Sequence, residues 1–161
     1  MSYAIQLARN AGLDVVATAS SKDVEYVRAL GAQTVMDFQQ VRFEDVVTAV
    51  DVVLDTVGGE THERSFKVLK PNGILVSVVS SPSPKEAAGA NRARSIFFFV
   101  DVTTDRLTAI TELFDSGKLV AQVGTVLALG DARIAHEMLA GADHARGKIV
   151  LNVAANSTNQ T

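Results

Sequence analysis

The chain has 161 residues, 47% of them hydrophobic and 20% charged, about one domain's worth of polymer and a composition that excludes disordered or low-complexity architectures. It contains no cysteine, so disulfides, thiolate metal sites and cysteine nucleophiles are excluded. A formal charge of −3 without any dense run of Lys and Arg argues against a nucleic-acid partner, and apolar runs such as Ile96 to Val100 fall far short of the ~20 residues that a membrane-spanning helix needs.

Met1 to Ile5 shows no basic region ahead of an apolar run, so no secretory signal is expected and a cytoplasmic location is the default. Ala4, Leu7, Ala8 and Ala11 recur at helical spacing, with Ser2 placed to cap the start and Gly12 to end it. Asp14 to Ala19 is a continuous apolar run of strand length, the pattern of a strand covered on both faces in a parallel sheet. Val24, Val27 and Leu30 restore the helical period up to Gly31, and Thr34-Val35-Met36 is a short strand. Phe43, Val46, Val47 and Val50 predict a short helix before the strongest strand signal, Asp51 to Asp55. After Gly58-Gly59, Glu60 to Leu69 predicts a helix with Phe66 and Leu69 inward, and Pro71-Asn72-Gly73 predicts a turn into the strand Ile74 to Val79.

Ser80 to about Asn91 is the one long loop signal. An aromatic strand, Ile96 to Val100, a helix from about Asp105 to Ser116, a strand from Val123 to Leu129, a helix near Ala132 to Leu139 and a strand Lys148 to Val153 complete the order. The polar tail Asn156 to Thr161 reads as frayed. Strand–helix–strand repetition of this kind predicts right-handed crossover units and an α/β fold with a mostly parallel sheet flanked by helices.

Such sheets bind ligands beyond the carboxyl ends of their strands. Here those ends carry hydroxyls, one amine and flexible backbone, an inventory better suited to holding a cofactor than to breaking a bond. In dinucleotide-binding folds the strand after the first helix commonly ends in an acid that takes the ribose 2′-hydroxyl of NAD. This chain has Ser20-Ser21-Lys22 there, donors and an ammonium that accept a 2′-phosphate where a carboxylate repels it. Capping of the next helix by either serine is the competing explanation. Gly58-Gly59 allows close approach of a ligand to backbone, or simply makes a turn, and Asp55 is also placed to cap the following helix. His62-Glu63 begins like a zincin motif, but Phe66 stands where the second histidine belongs. With His62, His136 and His144 far apart, no zinc site is expected within the chain. His144-Ala145-Arg146-Gly147-Lys148 gathers positive charge into a turn before the last strand. Phe97-Phe98-Phe99 requires both faces of its strand to be covered, by helices, a ligand or a second chain.

Taken in order, Ala4-Ile5-Gln6-Leu7-Ala8, Ala19-Ser20-Ser21-Lys22, Leu30-Gly31-Ala32, Val35-Met36-Asp37-Phe38, Val53 to Gly59, Leu69 to Gly73 and His144 to Val150 resemble the cofactor-binding half of the medium-chain dehydrogenase/reductase superfamily, in its zinc-independent quinone oxidoreductase branch. The resemblance runs to about Val153. It implies a Rossmann-like fold and NADPH-dependent hydride transfer to quinones or α,β-unsaturated carbonyls, catalysis that is largely positioning, with NADP(H) carrying the chemistry. By matched motif, the resemblance implies that Ser20 meets the 2′-phosphate with help from Lys22, that Ser21 beside them is also cofactor-binding, and that Thr56 lies near the cofactor ribose. Val78, Phe97 and Phe99 surround the nicotinamide end, and His144, Ala145 and Arg146 close over the cofactor. Phe38 keeps the ring of the family's usual tyrosine and loses its hydroxyl.

The family's first strand and Gly-rich phosphate loop, and its preceding substrate domain, have no counterpart in this sequence. The expectation is therefore a truncated cofactor domain over 1–118 and a C-terminal segment, 119–161, that in the family leans toward the substrate domain. Without the central strand, the sheet is expected to be repaired by rearrangement or by a second chain. Ile96 to Val100 is the expected homodimer contact. Two other readings stay open, a non-catalytic remnant that dimerises or binds cofactor, and a fragment of a zinc alcohol dehydrogenase whose metal ligands lie outside the chain.

Overall fold

A computed structural model of the chain describes residues 2–81 and 93–153. The elements, in order, are α1 (Ser2–Asn10), β1 (Val16–Ala19), α2 (Val24–Ala29), β2 (Thr34–Asp37), β3 (Val50–Asp55), α3 (Gly59–Ser65), β4 (Leu69–Ser77), β5 (Arg94–Phe97), α4 (Thr104–Asp115), β6 (Val123–Ala128), α5 (Ala132–Leu139) and β7 (Lys148–Asn152). Every strand pair is parallel, as the continuous apolar runs require. Among the described residues the strands form three sheets, β1–β2, β3–β4–β5 and β6–β7. Among the described residues β1 and β3 each pair on one side only.

Two cores support the strand tips. In the first unit α1 and α2 cover β1 and β2 through Ile5, Ala17 and Ala32, with Val27, Leu30 and Val35 packed around them. In the second, Phe66, Leu69 and Leu75 form the centre, with Val50 and Val53 against it. The inward placement expected for Phe66 and Leu69 holds.

Several expectations are corrected. The first helix does not bury the predicted stripe, for Leu7 and Ala11 are exposed while Ile5 and Gln6 are buried. Gln6 is drawn inward because its side-chain amide grips the backbone of Val120 from both sides, donating to the carbonyl at 3.1 Å and accepting from the amide at 2.8 Å. The helix expected over Phe43 to Val50 is a single 3₁₀ turn, Phe43–Asp45. The β-branched valines after it are poor helix formers, and Ala49 takes a left-handed turn (φ 57°) into β3. The turn is held by Glu44, which accepts from Arg42 at 2.6 Å and from Arg64 at 3.1 Å. The helix expected to reach Leu69 gives way to a 3₁₀ turn, Phe66–Val68, and Leu69 already pairs with Val50 in the ladder. The aromatic strand ends at Phe97, short of Val100, because its last rung is Ser77, where β4 itself stops. The loop from Pro82 to Asn91 and the tail from Asn156 lie outside the described residues.

Candidate functional site

The carboxyl ends of β1 and β2 form the first cluster. Ser20 and Ser21 follow β1 directly, and the Phe38 amide donates to the Ala19 carbonyl at 3.1 Å, which brings the end of β2 alongside. Ser20 does not cap with its side chain. Its hydroxyl donates to Asp23 Oδ2 at 2.6 Å, while the Ser21 hydroxyl donates to Asp37 Oδ2 at 2.5 Å. Arg146, 123 positions further along the chain, donates from Nε to Asp23 Oδ1 at 2.7 Å and from Nη2 to the Lys22 carbonyl at 2.6 Å. Its guanidinium also lies 5.0 Å from the centre of the Tyr26 ring. The Ser20 hydrogen bond holds the Asp23 carboxyl below its ordinary range, against partial burial and with help from Arg146 and the charge of Lys22. An open cleft of about 340 Å³ lies beside this cluster, lined by Tyr3, Thr18, Asp23, Tyr26, Arg146 and Lys148.

Arg146 reaches this position through two glycines. A side chain at Gly124 would meet the carbonyl oxygens of Ala145 and Arg146 at 2.4 and 2.5 Å, and one at Gly147 (φ 131°) would meet the Gly124 amide at 2.5 Å. The backbones of β6 and the turn before β7 therefore touch, which fixes where residues 144–146 leave the ladder. His144 itself is exposed, and its Nδ1 donates to the neighbouring Ala145 carbonyl at 2.9 Å.

The ends of β3, β4 and β5 form the second cluster. Thr56 is half-buried just after β3, and Val78, exposed, sits beside it through the bond from its amide to the Asp55 carbonyl at 3.1 Å. Phe97 pairs with Ser77 in the ladder, and its ring meets that of Phe99 edge-on at 5.0 Å. Phe99 is 84% exposed. Of the sequence-predicted residues, then, Ser20, Ser21, Lys22, Phe38 and Arg146 gather at one tip and Thr56, Val78, Phe97 and Phe99 at the other. His144 and Ala145 border the first.

Sequence reasoning missed the carboxylates Asp23 and Asp37 that hold the two hydroxyls. The three-residue interval from Ser20 to Asp23 was a usable local signal, whereas nothing local announces Arg146 as Asp23's partner. It also missed the environment of Asp55, which is buried with His62 and Ser77. Asp55 does not cap by one bond alone. Its Oδ1 accepts from the amides of both Val57 and Gly58 at 2.9 Å.

The sequence matches the family described as zinc-binding dehydrogenase over residues 30–151. The chain belongs to that family. It is 28% identical over 159 residues to a probable mitochondrial zinc-binding oxidoreductase of Arthroderma benhamiae, covering 94% of this chain and 48% of that protein. To the chloroplastic NADPH-dependent alkenal/one oxidoreductase of Arabidopsis thaliana it is 29% identical, covering 93% of this chain and 37% of the relative. The quinone oxidoreductase of Coxiella burnetii superposes with a TM-score of 0.83 at 30% identity, over 94% of this chain and 49% of the other. The fold also matches that of Escherichia coli quinone oxidoreductase complexed with NADPH, with a TM-score of 0.79 at 22% identity over 92% of this chain and 53% of the other. The chain thus spans about half the length, or less, of the curated relatives it matches. The medium-chain, quinone oxidoreductase-like character and the Rossmann-like parallel architecture expected from sequence both hold.

The family's description names zinc, and the residues here do not fit that ion. Among the described residues no group of three or more His, Asp or Glu side chains is placed to hold a metal, and Nδ1 of His62 is committed to Asp55.

Proposed function

We propose that this chain is the cofactor-binding half of an NADPH-dependent oxidoreductase that reduces quinones or α,β-unsaturated carbonyls. One observation carries the reading. The end of β1 presents the hydroxyls of Ser20 and Ser21 and the cations Lys22 and Arg146, the arginine bonded to the Lys22 carbonyl and to Asp23, a donor set that would take a 2′-phosphate in place of the Asp23 and Asp37 carboxylates. The name of the Arabidopsis relative agrees with it.

NADPH, when bound, supplies hydride from C4 of its nicotinamide. The protein's task is placement. Lys22 and Arg146 hold the phosphate by charge, and the Ser21 hydroxyl turns from Asp37 to donate to it. Phe38, 60% exposed, offers a ring at the adenosine end. Thr56 and Val78 meet the ribose and nicotinamide, and Phe97 and Phe99 keep water from that end. His144 and Ala145 close over the cofactor beside Arg146.

The reading includes a division near residue 118 and a homodimer through Ile96 to Val100. The edge strand β5 and the residues just beyond it expose Ile96, Phe98, Phe99 and Val100, and the open sides of β1 and β3 are further places for a strand to add. No helix among the described residues is long and apolar enough to cross a membrane. Two relatives carry mitochondrial and chloroplastic in their names, and the cytoplasmic location belongs to the proposal.

Titrating the chain with NADPH tests the reading. Fluorescence enhancement that saturates at micromolar cofactor supports it. No enhancement and no protection against heat favours the alternative of a non-catalytic remnant that only associates with other chains.

A further inference from the structure

Asp55, His62 and Ser77 are 3%, 2% and 0% exposed, the most deeply buried polar cluster among the described residues. They contain the residue types of a hydrolase triad, but their connections are different. His62 Nδ1 lies 2.7 Å from Asp55 Oδ2, and the Ser77 hydroxyl donates to the same oxygen at 3.0 Å. The serine thus points at the acid and not at the histidine, and it is closed to any substrate.

The bonds fan out from this centre to two chain tips. Asp55 Oδ1 takes the Val57 and Gly58 amides at the end of β3. Ser77 Oγ accepts the Val79 and Ser80 amides, both at 3.2 Å, at the end of β4. Burial works against the charge on Asp55, but the amides of Gly58 and Val57, His62 and Ser77 together hold its carboxyl below the ordinary range, so it stays ionised and acts only as an acceptor. His62 therefore carries its shared proton on Nδ1. Its Nε2 is buried without a hydrogen-bond partner among the described residues, and its ring meets that of Phe66 edge-on, 5.5 Å away between ring centres.

We propose that Asp55, His62 and Ser77 are positioning residues that lock the ends of β3 and β4 together, so that Thr56 and Val78 face the cofactor side by side. The proposal rests on the cofactor reading above for its purpose, but not for its structure. A buried carboxylate sharing four donors is the fixed point, and four backbone amides on two loops take their direction from it. His62 acts from α3 and holds the acid's second oxygen toward β4.

The test uses the full chain labelled with ¹⁵N. The His62 ring is expected to show a protonated Nδ1. In Ser77→Ala, amide exchange at Val79 and Ser80 is expected to accelerate at least tenfold, and at Val57 and Gly58 several-fold, while the ladder amides of Leu54 and Val76 keep their protection. A general loss of stability would speed all of them alike. His62→Leu removes a donor and is expected to loosen the same four amides. His62→Asn restores a donor where Nδ1 was and is expected to return them to within twofold of wild type. NADPH titration then separates the two ideas. If wild type binds NADPH, both Ser77→Ala and His62→Leu are expected to weaken it at least fivefold and His62→Asn to leave it nearly unchanged. If wild type does not bind, the cofactor reading falls and the exchange data still decide the cluster. Uniform deprotection in both His62→Leu and Ser77→Ala, a ring protonated on Nε2 alone, or unchanged exchange at the four amides would overturn the proposal.

Discussion

The two units that carry the strand tips are built in opposite ways. Around β1 and β2 the core is small, with alanine at two of its three buried positions, and the tip proposed to take the cofactor is exposed and made of hydroxyl–carboxylate bonds with an arginine recruited from far along the chain. Around β3, β4 and β5 the core is Phe66, Leu69 and Leu75, and the tip residues Thr56 and Val78 stand on a buried polar cluster, Asp55, His62 and Ser77, whose bonds span 22 positions at most. The first arrangement suits a surface that must rearrange to accept a charged group. The second suits one that must hold a neutral ring at a fixed angle.

The sharpest way to break this contrast is in the second core. Leu75 is fully buried, and Leu75→Ala is expected to cost about 4 kcal/mol of unfolding free energy in denaturant titration. A loss near ~1 kcal/mol would mean that this core is loosely filled. Gly124→Ala comes next, at about 3 kcal/mol, because the new methyl meets backbone that cannot rotate away. It is also expected to weaken NADPH binding by displacing Arg146, whereas Leu75→Ala acts on stability first.

A third measurement concerns the turn between the units. Burial raises the Glu44 carboxyl, but hydrogen bonds from Arg42, its own backbone amide and Arg64 bring it down to about 2 from 4.5. A carboxyl lowered on folding stabilises the protein above its unfolded value, and that contribution disappears as pH falls through the folded one. Melting temperature should therefore fall between pH 4.5 and 2 by more in wild type than in Glu44→Gln. Equal slopes would show that Glu44 does not hold the turn. The smallest effect is expected at the first tip. Asp37→Asn exchanges the charged acceptor of the Ser21 hydroxyl for a weaker neutral one and removes a like charge, so NADPH should bind a few-fold more tightly, by roughly 0.5–1 kcal/mol. Weaker binding would show that Asp37 itself contacts the cofactor.

The parallel α/β order, the ends of α5 and the place of Ser20 to Lys22 at the end of β1 were legible in the sequence because each is a local pattern, either a hydrophobic period or a short run after a strand. Gln6 and Glu44 were not, since a glutamine or glutamate within a helical pattern looks solvated until its distant partners, Val120 and Arg64, are known. His62 was read only as a failed metal motif. Seven residues after Asp55 and across a glycine turn, it faces back on the strand that precedes it, which is a consequence of the fold and not of the local pattern.

The measurement closest to the central claim is ³¹P NMR of NADP⁺ titrated with the chain. The 2′-phosphate resonance should shift and broaden, and the perturbation should shrink in both Lys22→Ala and Arg146→Ala. A 2′-phosphate signal that stays put while the pyrophosphate signals move would show that the nucleotide is held elsewhere and that the β1 tip does not read it.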